Sequence, residues 1–192
     1  MSIEAIFTTI PRLVTENYML RGITLDDAAE LFSFVSDKET MKFITPHPVQ
    51  TGAEMLEIVH MQLERYDDRK EIPWVIVNNK NGEIVGQFHL HKLNLWHKKA
   101  ELGVIIRKEY QNNGVMTEIL RPILAFGFET LGLNRIVGDT FAGNTGSEKI
   151  LKKYGFTKEG VMRQTDFDGE MFHDTVVFSM LRSEYAAQLK QG

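Results

Sequence analysis

The chain has 192 residues, 43% of them apolar and 25% charged, with a net charge of −4 and a pI near 5.9. This is the composition of a globular chain, and its acidic balance argues against a general nucleic-acid binder, whose footprint is basic. With no cysteine, disulfides, thiolate zinc sites and a cysteine nucleophile are excluded. No apolar run reaches membrane-spanning length and the first residues lack a basic–apolar leader, so one cytoplasmic α/β domain over residues 1–192 is expected.

Residues 1–16 show no pattern beyond Ile10-Pro11 and read as an irregular lead-in. Tyr18 to Ile23 reads as a strand. Thr24 then caps a helix whose stripe Ala28, Leu31, Phe32, Val35 keeps i, i+3, i+4, i+7 spacing, with Asp26 and Asp27 in its first turn. Asp37 to Thr40 starts a short helix that Pro46-His47-Pro48 ends. Thr51 and Glu54 have the spacing of a capping box for a second long helix, buried through Met55, Ile58, Val59, Leu63 and Tyr66.

From Pro73 the period becomes that of strands. Trp74 to Val77 and Glu83 to Leu90 flank an Asn81-Gly82 turn, and Lys99 to Arg107 follows a polar loop, Lys92 to Lys98. A helix spans Gly114 to about Leu131, with Pro122 inside it expected to remove a hydrogen bond and bend it. Arg135 to Phe141 is the next strand. Asn144 or Thr145 caps a helix through Tyr154, and Phe156 to Arg163 and Thr175 to Leu181 form a hairpin around Phe167-Asp168-Gly169, before a helical tail.

The stretch richest in chemistry is Glu101 to Thr117. A strand passes into a helix through the amide-rich link Lys108 to Asn113, closed by Gly114. The free N–H groups of a first helical turn and the helix dipole make such a link an anion site; taken alone, Asn-Asn-Gly is equally an ordinary turn. His89 and His91 share a strand face at i, i+2, which suits a metal pair or a solvated or aromatic-packed face, and no third ligand has matching spacing. Trp74, Phe88 and Phe128 read as core.

Gln111-Asn112-Asn113-Gly114-Val115-Met116 resembles the phosphate loop, Gln/Arg-x-x-Gly-x-Gly/Ala, of the GNAT superfamily of acetyl-CoA-dependent N-acetyltransferases. Leu133-Asn134-Arg135-Ile136, Asn144-x-x-Ser147, and Lys153-x-Gly155-Phe156-x-Lys158-Glu159-Gly160 follow in order. Leu20-Arg21-Gly22-Ile23 and Asp26-Asp27-Ala28 precede, so the resemblance spans about residues 12–182. Within the superfamily it is most similar to the bacterial ribosomal-protein N-terminal acetyltransferases of the RimJ/RimL type. Two positions depart: Met116 replaces the last small residue of the loop, and Leu151 stands where many of these enzymes carry an acidic tyrosine, so Tyr154 does not inherit that role.

The resemblance implies an α/β GNAT fold: a mixed, mostly antiparallel sheet of about seven strands flanked by helices, with a splayed parallel pair forming the acetyl-CoA cleft. It implies that Val104, Ile105 and Ile106 line the pantetheine arm and that Gln111, Asn112, Asn113, Gly114, Val115, Met116 and Thr117 hold the pyrophosphate. Asn144 would bond the pantetheine, Ser147 would steady the leaving thiolate, and Glu101 would be base or water-holding carboxylate. The plain alternatives are helix capping for Asn144 and Ser147 and an ion pair with a lysine such as Lys99 for Glu101. Asp139 is a second carboxylate near the cleft. The implied activity is direct acetyl transfer from acetyl-CoA to a primary amine, without metal. The first acceptor is a protein N-terminal α-amine. The alternatives are a small amine (polyamine, amino acid or antibiotic) and a non-catalytic acyl-CoA-binding module. Membrane and direct nucleic-acid partners are not expected, and exposed sheet edges offer a route to a homodimer.

Overall fold

The strand-period runs assemble into one eight-stranded sheet, and the helices divide between its two faces. The computed structural model describes residues 3–167 and 170–190. In chain order the elements are α1 (Ile3–Ile6), β1 (Leu13–Val14), β2 (Tyr18–Gly22), α2 (Ala28–Val35), α3 (Lys38–Met41), α4 (Gly52–Asp67), β3 (Ile72–Asn78), β4 (Ile84–Asn94) and β5 (Lys99–Ile106). Then follow α5 (Val115–Ala125), β6 (Arg135–Phe141), α6 (Thr145–Lys153), β7 (Thr157–Phe167), β8 (Phe172–Leu181) and α7 (Arg182–Leu189). Among the described residues the strand order is β1-β2-β3-β4-β5-β6-β8-β7, with β5–β6 the one parallel pair. This is the expected mixed, mostly antiparallel sheet, with one strand more.

β3 shows why both faces are covered. Trp74 and Ile76 point one way and Val75 and Val77 the other, and all four are buried. Trp74, Ile76, Phe88 and Ile136 pack with Ile119, Leu120, Ile123 and Leu124 of α5. On the opposite face Val75, Val77 and Ile84 meet Leu31, Phe34 and Val35 of α2 and Met55 and Val59 of α4.

The extra strand lies in the supposed lead-in: Leu13 pairs with Leu20 and Val14 with Met19. Two residues carry no readable alternation, and the segment is fixed instead by Glu118 of α5, whose carboxylate accepts from the Thr15 hydroxyl and the Asn17 backbone. β4 runs on to Asn94 rather than stopping at Leu90, because buried Leu93 continues the inward face and its N–H reaches Lys70 O at 2.8 Å. β7 and β8 are longer than expected as well; Asp168 and Gly169 at the expected turn lie outside the described residues. Pro122 does not break α5. The helix continues to Ala125 and widens into a π segment over Phe126–Thr130. The capping box at α4 is half formed: the Thr51 hydroxyl accepts the Glu54 amide, while Glu54 reaches past Thr51 to the N–H of Gln50.

Candidate active site

The site begins where pairing between β5 and β6 ends. The parallel ladder holds for three registers, Lys99↔Arg135, Ala100↔Ile136 and Glu101↔Val137, and then stops. On its other side β5 stays paired with β4 through Gly86↔Ile106. One edge of β5 after Glu101 therefore faces a gap rather than a strand, and backbone groups left there need partners from a ligand or water.

Both strands leave the fork toward the N-terminus of a helix. β5 enters the turn before α5, where Asn112 takes φ 61° and Gly114 φ 80°, the left-handed conformation that glycine adopts without a Cβ penalty. The first backbone bond of α5 runs from the Glu118 N–H to Gly114 O at 3.0 Å. The amides of Val115, Met116 and Thr117 precede it and are open to an anion. β6 enters α6 through Gly143, at φ 97°, and Asn144, whose side-chain oxygen accepts the Ser147 amide at 3.2 Å.

A cleft of about 510 Å³ fills this space, walled by Val104 and Ile106 of β5, the turn, and the start of α6. A second cleft, of about 540 Å³, opens on the face covered by α2, α3 and α4. The two share Phe43, Ile44, Val104, Asn144 and Ser147. A long ligand entering along the turn would thus present its far end to the second cleft beside Ser147.

The expected residues divide clearly. Val104, Ile106, Gln111, Asn112, Gly114, Val115, Met116, Thr117, Asn144 and Ser147 all line the first cleft. The Gln111 side chain also donates to Ile106 O at 2.9 Å, latching the turn to the strand end. Met116 packs partly against the core while still lining the cleft. Ile105 points to the opposite face and lines the second cleft only, since neighbours on a strand alternate. Asn113 lines neither; its amide turns back to Glu109 O at 2.8 Å. Glu101 also lines neither, and its lysine partner is Lys92, not Lys99. Lys92 Nζ stands 2.7 Å from Glu101 Oε2, an ion pair. That contact raises the Lys92 pKa. Tyr154 gives its hydroxyl to Thr117 O, tying α6 to the first turn of α5.

Sequence reasoning missed the roof, Phe43 and Ile44, and the α6-side wall, Gly143, Thr145 and Gly146. It paired His89 with His91 on one face, and their rings do stack at 4.8 Å. Among the described residues no three His, Cys, Asp or Glu side chains gather as a metal site. Instead His89 Nδ1 lies 2.7 Å from Glu71 Oε1, and Glu71 is 1% exposed. His91 is held below its ordinary pKa, chiefly by burial and then by His89.

The acetyltransferase (GNAT) domain family matches residues 17–157. An uncharacterized N-acetyltransferase of Bacillus subtilis, YoaA, is 31% identical over 172 residues, covering 90% of this chain and 97% of its own. Spermidine N(1)-acetyltransferase of Escherichia coli is 22% identical over 171 residues, covering 89% of each. Among solved structures, RimL, a ribosomal L7/L12 α-N-protein acetyltransferase in complex with coenzyme A, superposes with a TM-score of 0.82 at 17% identity, covering 89% of this chain and 98% of that one.

Proposed function

The chain belongs to the GNAT family of acetyltransferases, and from that premise we propose that it acetylates protein N-terminal α-amines in the manner of the RimJ/RimL branch. As a family member it is an acetyl-CoA-dependent enzyme acting on an amine. The observation that carries the reading is the fork: β5 loses its partner at Glu101 where two clefts join at Val104, Asn144 and Ser147. In this reading the pyrophosphate sits on the amides from Asn112 to Thr117, and the pantetheine arm runs along Val104 to Ile106 under the Asn144 amide. The thioester then lies beside Ser147, and the amine enters from the second cleft.

Attack on a thioester needs a neutral amine. An α-amine, with a pKa of about 7.7–8.0, gives up its proton near pH 7 for about 1 kcal/mol; a lysine at about 10.4 costs about 4–5. The nitrogen attacks the acetyl carbon, the tetrahedral intermediate expels the CoA thiolate, and the thiolate takes the second amine proton. Ser147 donates a hydrogen bond to the departing sulfur, since its hydroxyl is far too weak an acid to do more. Glu101, with Lys92 across from it, is the carboxylate on the path by which the first proton leaves through water.

A polyamine acceptor is the second reading. The similarity to spermidine N(1)-acetyltransferase favours it, as do Asp139 and Asp166, which line the second cleft and would draw a polycation. An acceptor panel with mass detection separates the two. We expect an acetyl group on short peptides with a free N-terminus and little on spermidine; the reverse pattern would favour the second reading.

A further inference from the structure

The proton has to leave the amine inside the second cleft, and Glu101 does not line it. His89 does, at 27% side-chain exposure. Its Nδ1 faces Glu71 Oε1 at 2.7 Å, and the other carboxylate oxygen lies 3.5 Å from Arg65. A carboxylate accepts, so Nδ1 carries the hydrogen, and in the neutral ring Nε2 is the nitrogen that can take a proton. That nitrogen has been given its place by a glycine: a Cβ on Gly103 would fall 1.8 Å from His89 Nε2. Gly103 is paired with His89 across the β4–β5 ladder and directly precedes Val104, the residue common to both clefts. Glu71, the imidazole and the Gly103–Val104 wall of the second cleft are thus successive neighbours.

We propose that His89, oriented by Glu71, is the general base that takes the first proton from the ammonium of the acceptor. This rests on the amine-acetylation reading above. His89 Nε2 accepts one proton from R–NH3+, giving the neutral amine and an imidazolium held by Glu71. The amine forms the C–N bond, the C–S bond breaks, and the remaining excess proton goes from nitrogen to the thiolate. The imidazolium then returns its proton to solvent, with Glu101 on that outward path. An imidazole, titrating at about 6.5, matches an α-amine far better than a carboxylate at about 4.3, so the transfer is less uphill. The titratable groups facing His89 are Glu71 and Arg65 behind it, His91 stacked on it, and Glu101 with Lys92 beyond. Asp139, Asp166, His47 and His91 line the same cleft.

The test measures acceptor turnover against pH, and acetyl-CoA affinity by calorimetry, using a short unmodified peptide and spermidine as acceptors. H89Q is expected to lower kcat/KM for the acceptor by about 100-fold or more with acetyl-CoA Kd unchanged. It should also abolish the fall in rate on the acid side of the profile. G103A keeps the imidazole but pushes it from its place, and should reproduce the loss of rate. E71Q, a positioning change, should move the acid limb to lower pH. E101Q should slow turnover yet keep the limb. Wild-type rate and limb in H89Q, with the limb lost in E101Q instead, would overturn the assignment and leave amine acetylation standing. Wild type that binds acetyl-CoA but acetylates neither probe would overturn both.

Discussion

Gly114 shows how much one backbone conformation carries. At φ 80° it turns the chain into α5, whose first amides, Val115 to Thr117, have no intrahelical partner, and a Cβ there would meet nothing within 4 Å. The penalty for Gly114→Ala is therefore conformational, about 1–2 kcal/mol. We expect weaker acetyl-CoA binding by calorimetry with only a small loss of thermal stability. Asp27 is the opposite case, a buried charge with a structural task. Its carboxylate accepts two N–H groups of Arg21 at 2.8 and 2.7 Å and the Thr24 backbone N–H at 2.8 Å. Burial alone would lift its pKa; the Arg21 and Thr24 bonds outweigh it and hold the carboxyl below its ordinary range. A folded value lower than the unfolded one means full stabilisation above about pH 3.9, lost as pH falls through the lower folded value. Asp27→Asn should lower stability near neutral pH by about 3 kcal/mol and flatten the acid side of the stability profile in denaturant titrations. At this scale the sequence was legible where a residue acts through its own backbone, as at Gly114, and illegible where it acts through a distant partner. Glu71 stands 18 positions before His89, and nothing near it marks it as the imidazole's partner.

Elements were legible wherever the apolar period lasted several residues. The helix expected from Gly114 and the strand expected over Trp74 to Val77 are both found, as α5 with its π continuation and as β3. Boundaries failed where irregular backbone intervened: the β4–β5 ladder shifts register between His91 and Asn94, with Lys92 at φ 47°, and no periodicity records such a bulge. That bulge is what brings Lys92, rather than Lys99, to Glu101. The packing of α5 also sets a prediction. Leu120 is fully buried against the sheet, so Leu120→Ala should destabilise by about 3 kcal/mol, read as a lower unfolding midpoint. Tyr154→Phe removes the hydroxyl that α6 gives to Thr117 O. It should cost about 1 kcal/mol and loosen the α5–α6 pair that flanks the fork, with a modest loss of acetyl-CoA affinity.

Across the whole molecule, the place where two neighbouring strands part is the β5–β6 pair, and the proposed function is built there. The β3–β4 and β7–β8 hairpins could be read from turns and alternating patterns, but the length over which β5 and β6 stay paired could not. It depends on the two helices that each strand leads into, and pairing length leaves no trace in either strand's own residues. The family resemblance implied a splayed pair; the structure locates its apex at Glu101 and Val137 and shows two clefts meeting there along Val104, Asn144 and Ser147. Hydrogen exchange with and without acetyl-CoA tests this arrangement most directly. We predict slower exchange on adding acetyl-CoA in the peptides covering Gly103–Ile106 and Asn112–Thr117, with little change in β2, β3 or α4. Protection elsewhere, or none at the fork, would contradict the account.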